Sequence, residues 1–180
     1  IIIIPTYNEK ENVPIVLDKL LNLSVRFDVL FVDDNSPDGT AELVKNYIKK
    51  NDTRVFLESK NKKEGLGKAY THGFSWALSK NYDYIFEMDA DLSHDPLDLV
   101  KMYKELESSN CDVVVGSRYI NGINVVNWPL SRIILSYLAS IYSRVITGLP
   151  VRDATSGFVG YRREVLNKMN LESILFNGYA

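Results

Sequence analysis

Cysteine is all but missing: Cys111 is the only one in 180 residues. An intrachain disulfide framework and a cysteine-rich zinc site are therefore excluded, and Cys111 reads as a small apolar filler ahead of a strand. Positive charge is not in surplus. Lys and Arg number 21 against 23 Asp and Glu, for a formal net charge of −2, so there is no basic field and no nucleic-acid partner is expected. No run of 18 apolar residues occurs, so no segment has the pattern of a membrane span, and no signal-peptide pattern is visible. Linkers, low-complexity tracts and repeats beyond a strand–helix rhythm are missing too. The first turn, "PTYNE", contains no glycine, which argues against a dinucleotide.

What is present is an ordinary globular composition, 46% hydrophobic and 24% charged, enough for a real core in one domain. The chain opens inside a strand-like run, "IIII", and ends at "FNGYA" without a cap. We expect residues 1–180 to be a single domain, a piece of a longer protein truncated at both ends. Strands are expected at 1–4, 28–34, 54–59, 83–89 and 112–118, and helices at 12–21, 37–51, 65–80 and 96–109. Pro14 falls in the first turn of its helix, and Asp38 or Thr40 is the expected cap of the second. Alternating strands and helices predict an α/β fold, a parallel sheet with helices on both faces.

In such sheets ligands sit beyond the carboxyl ends of the strands. The segments there are "PTYNE", "DDNSPDG", "NKKEGLG", "DADLSHD" and "GSRY". Acids dominate: Glu9, Asp33, Asp34, Asp38, Asp89, Asp91 and Asp95. Several carboxylates at one crevice need cations or hydrogen-bond donors beside them. Asp89 and Asp91 sit two apart, so in extended chain they share one side, roughly 7 Å apart. Such a pair can hold a hard divalent ion, or one can ligate while the other accepts a sugar hydroxyl; Ser93 adds a hydroxyl two residues on. The plain alternative is a pair of loop and capping acids.

Other motifs fail. An EF-hand loop would need Gly where His94 stands and Glu where Val100 stands. "GLGKAY" has Ala69 in place of the Ser/Thr of a Walker loop and Lys62 in place of its first glycine. Tyr70 takes the place of the third Rossmann glycine. Gly65 and Gly67 can still open a helix whose N–H groups face a phosphate or an acid.

Seven segments in order, "PTYNE", "DDNSPDGT", "GLGKAYTHGF", "MDADLSHDP", "GSRY", "WPLSRIILS" and "DATSGFVGYRREVL", resemble the polyprenyl-phosphate sugar synthases of glycosyltransferase family 2. The resemblance covers nearly the whole chain. It implies a GT-A fold with a mostly parallel sheet, a nucleotide-sugar donor, most plainly GDP-mannose, a dolichyl or other polyprenyl phosphate acceptor, and inversion at the anomeric carbon. It also implies work at a membrane surface, on the cytoplasmic face. Carried across, Pro5, Tyr7 and Glu9 match base and ribose contacts, and Val32 and Asp34 match second-strand contacts to the nucleoside. Asp89, Ala90 and Asp91 match the segment that meets the sugar diphosphate and its Mg²⁺ or Mn²⁺; Ser93 stands where some relatives have a glutamine ligand. Arg118 and Arg132 match the arginines that bind the acceptor phosphate, and Asp153 an acid near the acceptor that positions it or takes a residual proton. Asp91 and Asp153 are thus the catalytic candidates.

Structural readings stand beside these. Pro5 and Tyr7 can be turn and core, Asp33 a turn acid, His72 packing, His94 and Asp95 caps. Arg118 and Arg132 can be surface ion pairs, and Asp153 the cap of a turn. Residues 131–148 are apolar on a broad helical face. That helix can lie in a membrane interface, with Trp128, Tyr137 and Tyr142 at headgroup level, or cover the sheet as a core helix, and the two are compatible. Competing functions are a lipid-phosphate glucosyltransferase, a transferase with a soluble or UDP-linked substrate, and a binding module without turnover. A nucleotidyltransferase would need a basic glycine-rich first loop, which "PTYNEKEN" lacks.

Overall fold

The computed structural model describes residues 1–49, 53–117, 130–148, 151, 153 and 155–171. In chain order the elements are β1 (Ile2–Thr6), α1 (Asn12–Leu21), β2 (Val29–Asp33), α2 (Thr40–Lys49), β3 (Val55–Ser59) and α3 (Leu66–Ser79). Then come β4 (Tyr84–Glu87), α4 (Leu97–Ser108), β5 (Val113–Val115), α5 (Leu130–Thr147), β6 (Val159–Arg162) and α6 (Arg163–Lys168). Every element expected from periodicity is present, with only its ends shifted. The sheet runs β3-β2-β1-β4-β6-β5.

The run of isoleucines forms β1 because both faces of this strand are buried. Strand alternation sends Ile2 and Ile4 one way, with Val29, Phe31, Phe86 and Met88, against Val13, Val16, Leu17 and Leu20 of α1 and Leu99, Met102 and Leu106 of α4. It sends Ile1 and Ile3 the other way, with Leu30, Val32 and Ile85, against Ala69, Phe74 and Ala77 of α3 and Leu166 of α6. β1 pairs in parallel with β2 and β4, and β2 with β3. The chain thus leaves β1 in one direction through β2 and β3, then returns to β4 on its other side. That reversal opens a crevice at the carboxyl ends of β1 and β4.

β6 and α6 were not expected. β6 enters between β4 and β5 and is antiparallel to both, so the sheet is mixed and β5 does not touch β4. The insertion needs a glycine. A Cβ on Gly160 would lie 2.6 Å from Phe86 Cε1 and 3.1 Å from Leu106 Cδ1. Beside it Arg162 ties β6 to the end of α4. Its Nε donates to the Cys111 carbonyl at 2.9 Å and its Nη2 to those of Ser109, at 2.9 Å, and Leu106, acceptors that the helix end leaves open.

α5 leaves much of its apolar face open: Leu135 is 71% exposed, Tyr142 68%, Val145 77% and Ile146 66%, so of the two compatible readings of residues 131–148 the interfacial one has the larger described surface. Among the described residues no helix is long and apolar enough to cross a membrane. Trp128 lies outside the described residues.

Replacing Gly160 by Ala should overpack the β6–β4 contact. We expect a loss of about 1–3 kcal/mol, read from the urea midpoint of the variant against the parent.

Candidate functional site

The loops at the carboxyl ends turn sharply. Asn8 after β1 (φ 62°), Asn35 after β2 (φ 63°) and Leu92 after β4 (φ 62°) are all left-handed. Asn tolerates this region; Leu does so only under constraint. The constraint at Leu92 is the turn around it, in which the Ser93 N–H donates to Asp91 Oδ1 at 3.0 Å. That turn fixes the Asp91 carboxylate at the rim.

Beyond β1 and β4 lies a cavity of about 300 Å³. Its lining comes from the four parallel strands' ends. The β1 end gives Pro5, Thr6, Tyr7 and Glu9, and the β2 end gives Asp34. The loop after β3 and the start of α3 give Lys63, Gly65, Leu66 and Ala69, and the β4 end gives Asp89, Ala90 and Asp91. Pro5, Tyr7, Glu9, Asp34, Asp89, Ala90 and Asp91, all expected from the sequence, are therefore brought together.

Other expected residues fall elsewhere. Val32 is fully buried in the sheet face under α3 and does not line the cavity, so its side chain is core. Ser93 is exposed and outside the lining; its visible contribution is the amide that holds Asp91. Asp153 is 0% exposed. It accepts from Thr155 Oγ1 at 3.2 Å and Ser140 Oγ at 3.5 Å, and its carbonyl accepts from the Ser156 N–H at 3.5 Å. In this arrangement it holds a turn and docks α5 rather than facing the cavity. Arg118 lies outside the described residues, and of Arg132 only the helical backbone of α5 is described.

Each lining acid has a distinct environment. Asp34 is 4% exposed and accepts from the backbone N–H of Glu64 at 2.9 Å and of Gly65 at 2.7 Å. Lys60 Nζ lies 3.4 Å from Asp34 and 2.8 Å from Glu64. The glycine-opened start of α3 (Gly65, φ 97°) thus faces an acid of this chain, one of the two partners its sequence allowed. Glu9 accepts from Asn12 Nδ2 at 2.7 Å. Burial pushes its carboxyl above the ordinary value, the Asn12 hydrogen bond opposes this, and Asp91, Asp38 and Asp89 add to the rise. Asp89 accepts from the Tyr70 hydroxyl at 3.0 Å on Oδ1, and His94 Nε2 stands 3.9 Å from Oδ2. Beneath them Glu87 accepts from the Tyr161 hydroxyl at 2.5 Å. Burial pushes the Glu87 carboxyl up to about 7, against the Tyr161 hydrogen bond and with a further push from Asp89.

Among the described residues no three His, Cys, Asp or Glu side chains are grouped to hold a metal by themselves. Two carboxylates at the mouth of an open cavity suit a different arrangement, a hard divalent ion whose remaining positions are filled by a ligand's phosphates and water. On donor type, then, Asp89 and Asp91 fit Mg²⁺ or Mn²⁺.

Of the structural alternatives, several hold. Asp33 is a buried turn acid, accepting from Thr6 Oγ1 and from the N–H and Oγ of Ser36. Asp38 caps α2 through the Thr40 N–H at 3.0 Å, and Asp95 caps α4 through the Leu97 N–H at 3.0 Å. Two do not. His94 stacks on Phe158 with ring centroids 4.7 Å apart and faces Asp89. His72 is exposed and pairs with Glu58 at 3.1 Å. Lys63 was missed. Its ammonium sits 3.5 Å above the Tyr7 ring centroid, and in "NKKEGLG" nothing marks it out from its neighbour Lys62.

A sheet of this order, with an acid-lined crevice at its switch point, is that of a GT-A glycosyltransferase. A solved mannosyltransferase from Pyrobaculum calidifontis, in complex with GDP-Man and Mn²⁺, superposes with a TM-score of 0.62 at 20% identity over 94% of this chain and 46% of its own. This chain spans about half the length of that structure. The chain belongs to glycosyl transferase family 2, whose family model matches residues 1–169. It is 41% identical over its whole length to the polyprenol monophosphomannose synthase of Mycolicibacterium smegmatis, covering 68% of that protein. It is also 41% identical, over 99% of its length, to the undecaprenyl-phosphate mannosyltransferase of Micrococcus luteus, covering 72% of it.

Asp34→Ala should release the Glu64 and Gly65 amides and leave Lys60 to its pair with Glu64. We expect a loss of about 1–3 kcal/mol, the scale for buried donors left without an acceptor, seen as a lower urea midpoint together with faster hydrogen exchange at Glu64 and Gly65.

Proposed function

We propose that this chain is a single GT-A catalytic domain that transfers mannose from GDP-mannose to a polyprenyl phosphate of the dolichyl type, with inversion and with a divalent ion. The observation that carries the proposal is the joining of Tyr7, Glu9, Asp89 and Asp91 in one cavity, in a chain 41% identical throughout to a polyprenol monophosphomannose synthase.

The parts divide by chemistry. Tyr7 offers a ring on which the base stacks, and Glu9 accepts from a base N–H or a ribose hydroxyl. Asp89 and Asp91 hold Mg²⁺ or Mn²⁺, whose chemistry when bound is to offset the charge gathering on the leaving diphosphate. Tyr70, the nearby His94 and the Ser93 amide fix where those two carboxylates point. Arg118 and Arg132 hold the acceptor phosphate, because a guanidinium fork meets two phosphate oxygens at once. That phosphate, with a second pKa near about 6, is already mostly ionised at neutral pH. It therefore needs orientation behind the anomeric carbon more than a base. Asp153 acts here by position, through α5, which carries Arg132.

Membrane association on the cytoplasmic face is part of the proposal. The exposed Leu135, Leu138, Tyr142, Val145 and Ile146 of α5 give the domain an apolar surface for a lipid interface, where the acceptor's tail is held.

Two variants test the two halves. Asp91→Asn should abolish Mn²⁺-dependent GDP binding by calorimetry while leaving the urea midpoint near that of the parent. GDP binding equal to the parent's would remove Asp91 from the metal site.

On the acceptor side, Arg118→Ala should leave GDP-mannose binding unchanged. Transfer of labelled mannose from GDP-mannose to polyprenyl phosphate, counted in organic extract, should fall by at least about tenfold, the order of one lost charge-assisted contact. Arg118→Lys should recover it only in part, since it restores charge without the fork. Undiminished transfer in both Arg118→Ala and Arg132→Ala would remove the acceptor assignment.

A further inference from the structure

We infer that Lys63 is a specificity-determining latch across the mouth of the cavity, one that a nucleoside diphosphate can open and an uncharged nucleoside opens only at a loss. The inference rests on the reading of the cavity as a nucleotide-sugar site.

The backbone at Lys63 is fixed from beneath. The next two residues, Glu64 and Gly65, have their amides fastened to the buried Asp34 carboxylate. From that anchored rim the Lys63 side chain crosses from the loop after β3 to the loop after β1, and its ammonium lies 3.5 Å over the Tyr7 ring centroid. Both residues line the cavity. The contact occupies a ring face at the mouth, and a base that stacks on that face must first displace the ammonium.

Whether that displacement is recovered depends on the ligand's charge. The described lining carries four carboxylates, Glu9, Asp34, Asp89 and Asp91, and Lys63 is its one cation. Lys63 stands on a flexible four-carbon stem, so its freed charge stays beside the cavity. A diphosphate entering there, with more than one negative charge, meets it in a charge-assisted contact and regains more than the broken contact cost. A nucleoside has no charge to offer and regains nothing. The latch thus penalises ligands that bring a base without phosphates.

The test compares guanosine and GDP, titrated with Mn²⁺ at low salt against the parent and against Lys63→Met, which keeps the unbranched stem and removes the charge. Guanosine should bind Lys63→Met about 2–5-fold tighter than the parent, the scale of an exposed cation–π contact. GDP should bind it at least about threefold more weakly, as expected for one exposed charge contact. Lys63→Arg should keep guanosine binding weak and GDP binding tight as in the parent, in direction though not in magnitude, because a guanidinium also stacks on tyrosine and keeps the charge. In a Tyr7→Leu background, Lys63→Met should give no gain for guanosine, since there is no ring to unlatch. Unchanged or weaker guanosine binding by Lys63→Met, or GDP binding as tight as the parent's, overturns the latch while leaving the donor reading in place. A folded parent that binds no GDP overturns the donor reading and the latch with it.

Discussion

Two consecutive aspartates at the end of β2 hold the functional end of this fold together. Neighbouring side chains on a strand point to opposite sides, so Asp33 and Asp34 reach opposite ways. Both are buried, at 2% and 4% exposure, which is costly for carboxylates unless donors surround them. Asp33 draws in Thr6 at the end of β1 and the Ser36 turn leading to α2. Asp34 draws in the Glu64 and Gly65 amides before α3, with Lys60 alongside. The Asp34 amide itself donates to the Thr6 carbonyl at 2.9 Å. One dipeptide thus sets the loops after β1, β2 and β3, and with them the positions of Tyr7, Glu9 and Lys63.

The remaining wall depends on β4 and its unexpected neighbour β6. Pairing Glu87 with Val159 brings Tyr161 within 2.5 Å of the Glu87 carboxylate. With burial pushing that carboxyl up to about 7, Glu87 is neutral in acid and only part-ionised near neutrality, which spares Asp89 a full negative charge beneath it. The loop leading into β6 supplies Phe158, on which His94 stacks beside Asp89. The strand that breaks the parallel pattern is therefore the one that furnishes the floor under the paired acids.

How much of the fold and site was legible depended on how local each signal is. The helices and parallel strands were readable because their periodicity lies within a single segment. β6 was not. It is four residues long with Gly160 inside it, and its place is set by room beside Phe86 rather than by its own pattern. Most lining residues were readable because a β-α rhythm fixes which loops meet. That Asp34 also anchors the loop before α3 could not be read, because its donors lie in a distant loop. Strand alternation turns the Val32 side chain into the core beside Leu30, so only its backbone is left for the ligand contact that the resemblance implies. The broad apolar face of α5 fits both a buried and an interfacial helix, and only its exposure shows how much of it is left for an interface.

That exposure also explains how a buried acid bears on the acceptor. α5 keeps most of its apolar side chains in the open, and full burial of each would be worth about 1.5–3 kcal/mol, so packing on the sheet is not what places it. The described tie is polar: Ser140, 1% exposed, meets Asp153, 0% exposed, at 3.5 Å. Asp153 in turn belongs to the turn that feeds β6, where the Ser156 hydroxyl donates to the Gly116 carbonyl at 2.6 Å beyond β5. The helix carrying Arg132 is thereby referenced to the strand whose loop leads to Arg118. A largely exposed apolar helix tied to the sheet through a buried polar contact can settle against a membrane while its backbone stays registered to β5 and β6.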